Sequence, residues 1–494
     1  MRSGKKKAMV YQKTKELWEK YRTIPVQAKA SLWFLICSFL QKGISVITTP
    51  IFTRLLSTAE YGQYSVFYTW LGLTAIFVTL NLSSGVYTQG LVKFSERRKV
   101  FSSSLQGLTT ALVAVWTVIY MLNRGFWNQL LSLTTVQVLA LLVMNWTTAV
   151  FNFWAAEQRV EYRYKALILI TLAVSICKPA IGVFFVLHAE DKVTARILGI
   201  VLVELVAYSG MYLAQMRRGK QFYHAEFWKY ALRFNLPLIP HYLSQTVLSS
   251  ADRIMIERMV GSSEAGIYSL AYSISQIMTL FNTALMQTIS PWIYQKIKAK
   301  QLRDISSTAY LTLGVIAMVN LLLIALAPEA VAIFAPESYY EAIWVIPPVA
   351  MSVYFMYCYD LFAKFAFYYE KTTLIMLGSV FGAVLNVILN YIFIGKYGYR
   401  AAGYTTLACY VAYAVGHYFF MNRVCNKNCE GIRPYSGSTL LWISVAFLAT
   451  GFLLLGTYPY RIVRYGILCV FLIVMVIFRK RILRLVSQLM HIGK

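Results

Sequence analysis

The chain has 494 residues, of which 58% are hydrophobic and 14% charged, with a formal net charge of +27 and a mean hydropathy of +0.56. Soluble domains are nearer half apolar and a quarter charged, so this composition excludes a soluble globular protein and indicates an integral membrane one. A strong positive balance also marks nucleic-acid binders, but here Lys and Arg gather in alternate loops between apolar segments, as the positive-inside rule requires.

The apolar pattern resolves into about 14 spans of membrane-crossing length, an all-α membrane protein. They centre on Leu40, Leu73, Ala114, Leu142, Val174, Leu205, Leu248, Met278, Ile316, Val353, Val384, Tyr410, Ala446 and Phe471. An even number places both termini on one face, and the basic loops make that face cytoplasmic. Residues 1–27 form a basic cytoplasmic arm. Lys5, Lys6, Lys7, Tyr11, Trp18 and Tyr21 suit an interfacial helix on anionic lipid, or an orientation signal alone. The first apolar stretch lacks a small-residue cleavage signature and reads as a retained span.

Span one carries Ser38, Gln41, Lys42, Ser45 and Thr49 on one helical face. A lysine that deep costs about 2.5 kcal/mol or more in lipid, so it faces a cavity or a partner. Pro50 ends or kinks the helix ahead of Arg54. Span five sets Lys178 beside Pro179. Span six holds Glu204, which either neutralises Lys178 or Lys42 or takes part in transport. In span seven, His241, Gln245, Ser249 and Asp252 share a face, with Arg253 beside them and Glu257 and Arg258 one turn on. Span ten has the i,i+4 pair Asp360 and Lys364, and span eleven has Asn386 and Asn390 at the same spacing. The last two spans have no counterpart in the repeat and almost no buried polarity, and look appended.

The chain is also internally repeated. Arg54–Tyr68 reads R-L-L-S-T-A-E-Y-G-Q-Y-S-V-F-Y, and Arg258–Tyr272 reads R-M-V-G-S-S-E-A-G-I-Y-S-L-A-Y. A constant shift of 204 (258 − 54) carries Arg54 onto Arg258, Glu60 onto Glu264, Gly62 onto Gly266 and Tyr68 onto Tyr272. It also carries Gln41 and Ser45 onto Gln245 and Ser249. Gly62 and Gly266 follow acidic residues at a hairpin, where glycine permits a tight turn. The repeat divides the chain into six-helix lobes at 28–218 and 219–430, related by a pseudo-two-fold axis. Residues 431–494 supply two further spans and a cytoplasmic tail. Paired bundles with a site between them are the usual build of secondary transporters. Buried Lys and Arg outweigh the acids Glu204, Asp252, Glu257 and Asp360, which favours an anionic substrate such as a phosphate.

Three motifs carry a family resemblance. Thr49–Ser65 (T-P-I-F-T-R-L-L-S-T-A-E-Y-G-Q-Y-S), Ala251–Tyr272 (A-D-R-I-M-I-E-R-M-V-G-S-S-E-A-G-I-Y-S-L-A-Y) and Leu385–Thr406 (L-N-V-I-L-N-Y-I-F-I-G-K-Y-G-Y-R-A-A-G-Y-T-T) resemble signatures of the Wzx-type polysaccharide flippases. These belong to the multidrug/oligosaccharidyl-lipid/polysaccharide exporter superfamily. Arg400 stands where the family usually has glycine. The resemblance implies a two-lobed bundle that moves undecaprenyl-pyrophosphate-linked repeat units across the bacterial cytoplasmic membrane by alternating access. It implies pyrophosphate contacts for Arg54, Arg253 and Arg258, and permits a lipid-tail groove on the last two spans.

Burial adds Lys42, Lys178 and Lys364 to the substrate-binding candidates, and polarity adds Gln245, Asn386 and Asn390. Asp252, Glu257 and Asp360 are the candidates for coupling to H⁺ or Na⁺. Expected partners are the lipid-linked oligosaccharide and membrane lipid, with contacts to a polysaccharide polymerase and glycosyltransferases, and no nucleic acid. The alternatives are a multidrug exporter or a peptidoglycan-precursor flippase. No loop is long enough to fold as a catalytic domain, so no enzyme activity and no cofactor are expected. The seven cysteines imply no disulfide framework; Cys425 and Cys429 alone are too few ligands for zinc.

Overall fold

The computed structural model describes residues 25–429 and 431–470, with Thr23, Ile473 and Ile477 as isolated positions beyond them. The expected interfacial helix in the N-terminal arm and the basic tail lie outside the described residues. Eighteen α-helices and four short 3-10 segments make up the fold, and the described residues contain no strand. The first half contributes α1 (Val26–Leu55), α2 (Thr58–Val78), α3 (Gly85–Lys93), α4 (Arg98–Leu122), α5 (Arg124–Leu131), α6 (Thr135–Val160), α7 (Tyr164–Leu187) and α8 (Lys192–Gly219). The second contributes α9 (Ala225–Asn235), α10 (Ile239–Met259), α11 (Ser262–Ser275), α12 (Ile277–Lys298), α13 (Ile305–Ala325), α14 (Ala327–Phe334), α15 (Ile346–Tyr368), α16 (Thr372–Tyr397) and α17 (Ala401–Asn428), and α18 (Gly437–Gly456) follows.

Eight helices among the described residues are long and apolar enough to cross a membrane, or nine if Glu337–Trp344 and α15, bent by 48° at their junction, form one span. The other expected spans are α2, α10, the α11–α12 pair, α17 and the helix described over residues 461–470. The first four fail on apolarity because they carry the polar residues of the interior. A helix facing a hydrated interior need not be apolar all round.

Within the first lobe α8 packs against α4, α6 and α7, and α1 lies on α7. Within the second, α17 packs on α15 and α16, with α10 against α16. Pro50 and Pro179 both lie inside continuous helices, α1 and α7. The appended helix α18 docks on α13 and α15, where Tyr354 stacks on Phe447 at 4.3 Å. Beyond it Arg464, only 1% exposed, pairs with Glu329. That buried guanidinium corrects the expectation that this region holds almost no buried polarity.

The two repeats meet at their own equivalent residues. A Cβ on Gly62 would lie 1.9 Å from the carbonyl oxygen of Ser262, and one on Gly266 would lie 2.0 Å from that of Thr58. Thr58 and Ser262 are themselves related by the shift of 204. Such reciprocity is what a two-fold axis passing between α2 and α11 produces. Neither glycine is in a turn: both lie inside helices, where the missing side chain lets two backbones touch. The turns use other chemistry. Ser57 and Glu60 form a capping box, and Gly261 takes the left-handed φ of 154°. This face is further closed by Thr53 donating to the Phe334 carbonyl at 2.6 Å and Arg54 to that of Ile333 at 3.1 Å.

Candidate functional site

A cavity of about 620 Å³ lies between the lobes, walled by α1, α2, α10, α11 and α12. Its lining repeats the internal symmetry: Ser65 and Ser269, Tyr68 and Tyr272, Thr69 and Ser273 are pairs under the same shift. The symmetry breaks at the charges. Lys42 faces Thr246 under the shift, and Thr49 faces Arg253. Lys42, Arg196 and Arg253 all line the cavity, and among the described residues no carboxylate does.

Arg196 is held most tightly. Asp191 caps α8 by accepting from the Thr194 N–H at 3.0 Å, and Lys192 reaches the Leu55 carbonyl at 3.2 Å. One turn on, the Arg196 guanidinium lies 3.5 Å from the Phe52 ring centroid and 3.4 Å from that of Tyr64. Rings on two sides leave the guanidinium edge as its only hydrogen-bonding direction. The side chain is 8% exposed, and its Nε and Nη1 have no hydrogen-bond partner. A buried guanidinium with free N–H donors on a cavity wall is able to receive an acceptor that enters the cavity.

Arg253 lies 4.2 Å from the Tyr272 ring and donates to the Ser249 carbonyl at 3.3 Å. Asp252 stands behind it, 2% exposed, with its nearer oxygen 3.9 Å from the guanidinium and Tyr268 donating to the other. Lys42 has no carboxylate partner among the described residues and is solvent-accessible. A second polar cavity of about 370 Å³ continues along α1, lined by Ser38, Gln41, Arg159 and Gln287 among others. The polar face of α1 thus runs through both hollows.

The remaining candidates lie elsewhere. Lys178 donates to Glu204 at 2.6 Å, and Thr147 donates to the other carboxylate oxygen. Lys364 pairs with Asp360 at 2.6 Å on α15. Asn390 donates to Asn386 at 3.1 Å and accepts from Thr405, which joins α16 to α17. Glu257 meets Ser262 at 3.5 Å, Gln245 is exposed, and Arg54 sits on the closed hairpin face. Arg258 lies outside the cavity, donating to the Leu130 carbonyl. Glu204 is only 3% exposed at its side chain, so removing its partner strands a buried charge. Lys178→Ala is expected to cost about 3 kcal/mol, at the low end for buried pairs because Lys178 remains 28% exposed. Thermal unfolding in detergent checks this, and Lys178→Met/Glu204→Gln is expected to recover most of the loss.

Arg196 is a cavity residue that the sequence analysis did not single out. The shift of 204 also carries Lys192, Arg196 and Gly199 onto Lys396, Arg400 and Gly403, but Arg400 sits in the turn ahead of α17 whereas Arg196 lies inside α8, so the repeat alone does not reveal its burial.

Comparison with known proteins agrees with this geometry. Residues 28–297 match the family model described as "Polysaccharide biosynthesis protein", and residues 237–392 match MatE. "Lsg locus putative protein 1" of Haemophilus influenzae is 24% identical over 383 residues, covering 73% of this chain and 89% of its own. An uncharacterized membrane protein of the same organism is 22% identical over 384 residues, covering 73% and 91%. Among solved structures, the lipid II flippase MurJ in an inward closed conformation has a TM-score of 0.68 at 13% identity, covering 91% of this chain and 99% of that one. An inward-facing multidrug resistance MATE family transporter has a TM-score of 0.59 at 11% identity, covering 78% and 95%. At these identities the structures establish a shared fold. With more than half of the chain inside the first family model, the protein belongs to the polysaccharide biosynthesis protein family and is a multi-pass membrane transporter of the multidrug/oligosaccharidyl-lipid/polysaccharide exporter superfamily.

Proposed function

We propose that the protein flips lipid-linked oligosaccharide repeat units across the cytoplasmic membrane for surface polysaccharide synthesis, with the diphosphate head group held by Lys42, Arg196 and Arg253. The supporting observation is the buried Arg196, with Nε and Nη1 unpartnered, in a cavity lined among the described residues by three cations and no carboxylate. A guanidinium grips a phosphate through two parallel N–H donors, and the tyrosines and serines beside it suit sugar hydroxyls. The transporter needs no catalytic group and alternates access to the two membrane faces. With both termini cytoplasmic, an interior-negative potential of about 100 mV favours outward movement by about 2.3 kcal/mol per negative charge. Coupling to H⁺ or Na⁺ through Asp252, Glu257 or Asp360 would add to that drive. Residues 28–218 and 219–430 serve as the two moving lobes.

An organic-cation exporter would need an acidic group facing the substrate. The nearest one, Asp252, is already bonded to Tyr268 and the Arg253 backbone. The test is reconstitution into vesicles with an undecaprenyl-diphosphate oligosaccharide. Its movement is expected to accelerate with imposed potential, while a cationic amphiphile of similar size stays in place. Movement of the cation without the diphosphate lipid would overturn the proposal.

A further inference from the structure

A second hollow in the first lobe is chemically unlike the transport cavity. It measures about 200 Å³ and is walled by Trp70, Phe77, Trp116, Trp127, Leu130 and Leu142 among others, on α2, α4, α5 and α6. Several of its polar wall atoms are satisfied within the chain. Trp116 Nε1 donates to the Phe77 carbonyl at 3.1 Å, Tyr120 to Asn128 at 2.9 Å and Thr74 to the Trp70 carbonyl at 2.7 Å. Trp70 Nε1 is buried with no hydrogen-bond partner. Phe77 and Leu130 are 41% and 40% exposed and form the outer edge. In a membrane protein that edge meets hydrocarbon.

A cation from the other lobe stands at the mouth. Arg258, in the last turn of α10, donates to the Leu130 carbonyl and holds its guanidinium 5.8 Å from the Trp70 ring. Among the described residues no carboxylate lies within ion-pair distance of it. An unpaired arginine above an apolar slot is complementary to an amphiphile with an anionic head and a hydrocarbon tail. Tryptophans at this level mark the head-group zone of a bilayer.

We propose that this crevice binds an anionic glycerophospholipid, with its phosphate on Arg258, an ester oxygen within reach of Trp70 Nε1 and an acyl chain in the hollow. Arg258 belongs to one lobe and the hollow to the other, so the bound lipid ties α10 to α5 and stabilises this arrangement of the lobes. Membrane composition then regulates the conformational balance, independently of what the central cavity carries. A lipid can bias that balance only by binding one arrangement better than the other.

The test uses full-length protein in neutral detergent, titrated with phosphatidylglycerol or phosphatidylcholine of matched chains. Thermal unfolding and native mass spectrometry are the two readouts. Phosphatidylglycerol is expected to raise the midpoint by roughly 3 °C or more and to be retained, with little effect from phosphatidylcholine. Arg258→Gln is expected to erase the preference between the lipids. Val138→Phe, which fills the hollow and leaves Arg258 in place, is expected to erase retention of both. Equal shifts from both lipids in the unaltered protein, or a preference that survives Arg258→Gln, overturns the proposal. So does a shift produced by an isoprenyl diphosphate alone, which would assign the hollow to the transported substrate. None of these readouts measures transport, so failure here leaves the reading of the central cavity standing.

Discussion

Gly266→Val is expected to reduce transport by ~100-fold, a larger loss than any single substitution outside the central cavity. A Cβ at this position meets a backbone carbonyl of α2 at 2.0 Å, and no rotamer change relieves a clash with backbone. Forcing the helices apart costs about 3 kcal/mol, the upper part of the usual overpacking range, or about a hundredfold in the population of the arrangement in which α2 and α11 cross tightly. Alternating access needs both arrangements, so turnover falls with the rarer one. Cross-linking gives a direct readout. The hydroxyls of Thr58 and Ser263 are 2.6 Å apart, so a Thr58→Cys/Ser263→Cys pair is expected to oxidise readily and arrest transport. Adding Gly266→Val is expected to slow that oxidation strongly. Unchanged oxidation and transport would show that the crossing does not separate during the cycle.

Arg196→Ala is expected to lower transport of a diphosphate-linked lipid by ~100-fold, which corresponds to about 2.7 kcal/mol of lost stabilisation of a buried phosphate contact. The accompanying stability change distinguishes its role. Removing half of a buried ion pair destabilises a protein, but Arg196 has no such partner. Arg196→Met, which keeps the stem packed between Phe52 and Tyr64, is therefore expected to leave the unfolding temperature level or raise it while transport is lost. Arg196→Lys keeps the charge but not the planar stack or the two-donor edge, so an intermediate loss of ~10-fold is expected. Vesicle assays of flipping rate beside thermal unfolding of each variant check these outcomes. A variant that transports normally, or one that loses stability and transport together, would remove Arg196 from substrate binding.

Much of this architecture was legible in the residues themselves. The shift of 204 marked two equivalent halves, and the stripe Ser38, Gln41, Lys42, Ser45 and Thr49 marked the face of α1 that lines both polar hollows. What the repeat did not convey was which helices meet. Gly62 and Gly266 sit near turns, so local chemistry suggested a reversal of the chain. The contacts that require them, Gly62 with Ser262 and Gly266 with Thr58, lie about 200 residues away, on the first turn of the other repeat's helix. Charge was equally ambiguous at short range. Lys178 and Lys364 look like cavity cations until their partners, Glu204 on the next helix and Asp360 on the preceding turn, are seen at 2.6 Å. Arg196 showed the opposite error. Four residues past the start of its helix it resembled loop charge, and only the packing of Phe52 and Tyr64 against it reveals a buried guanidinium.

The reciprocal contact of Gly62 with Ser262 and Gly266 with Thr58 bears on ancestry as well as motion. An isologous surface is one that a polypeptide can offer to its own twin, and the geometry of closure is then encoded once and used twice. The crossing therefore has the form expected of a gene duplication in which two formerly separate subunits were fused. The charges that differ between the halves, Lys42 opposite Thr246 and Arg253 opposite Thr49, are what fusion permits. Once the twins are tethered, each can diverge without its counterpart, and the chamber between them can become asymmetric enough to orient its cargo.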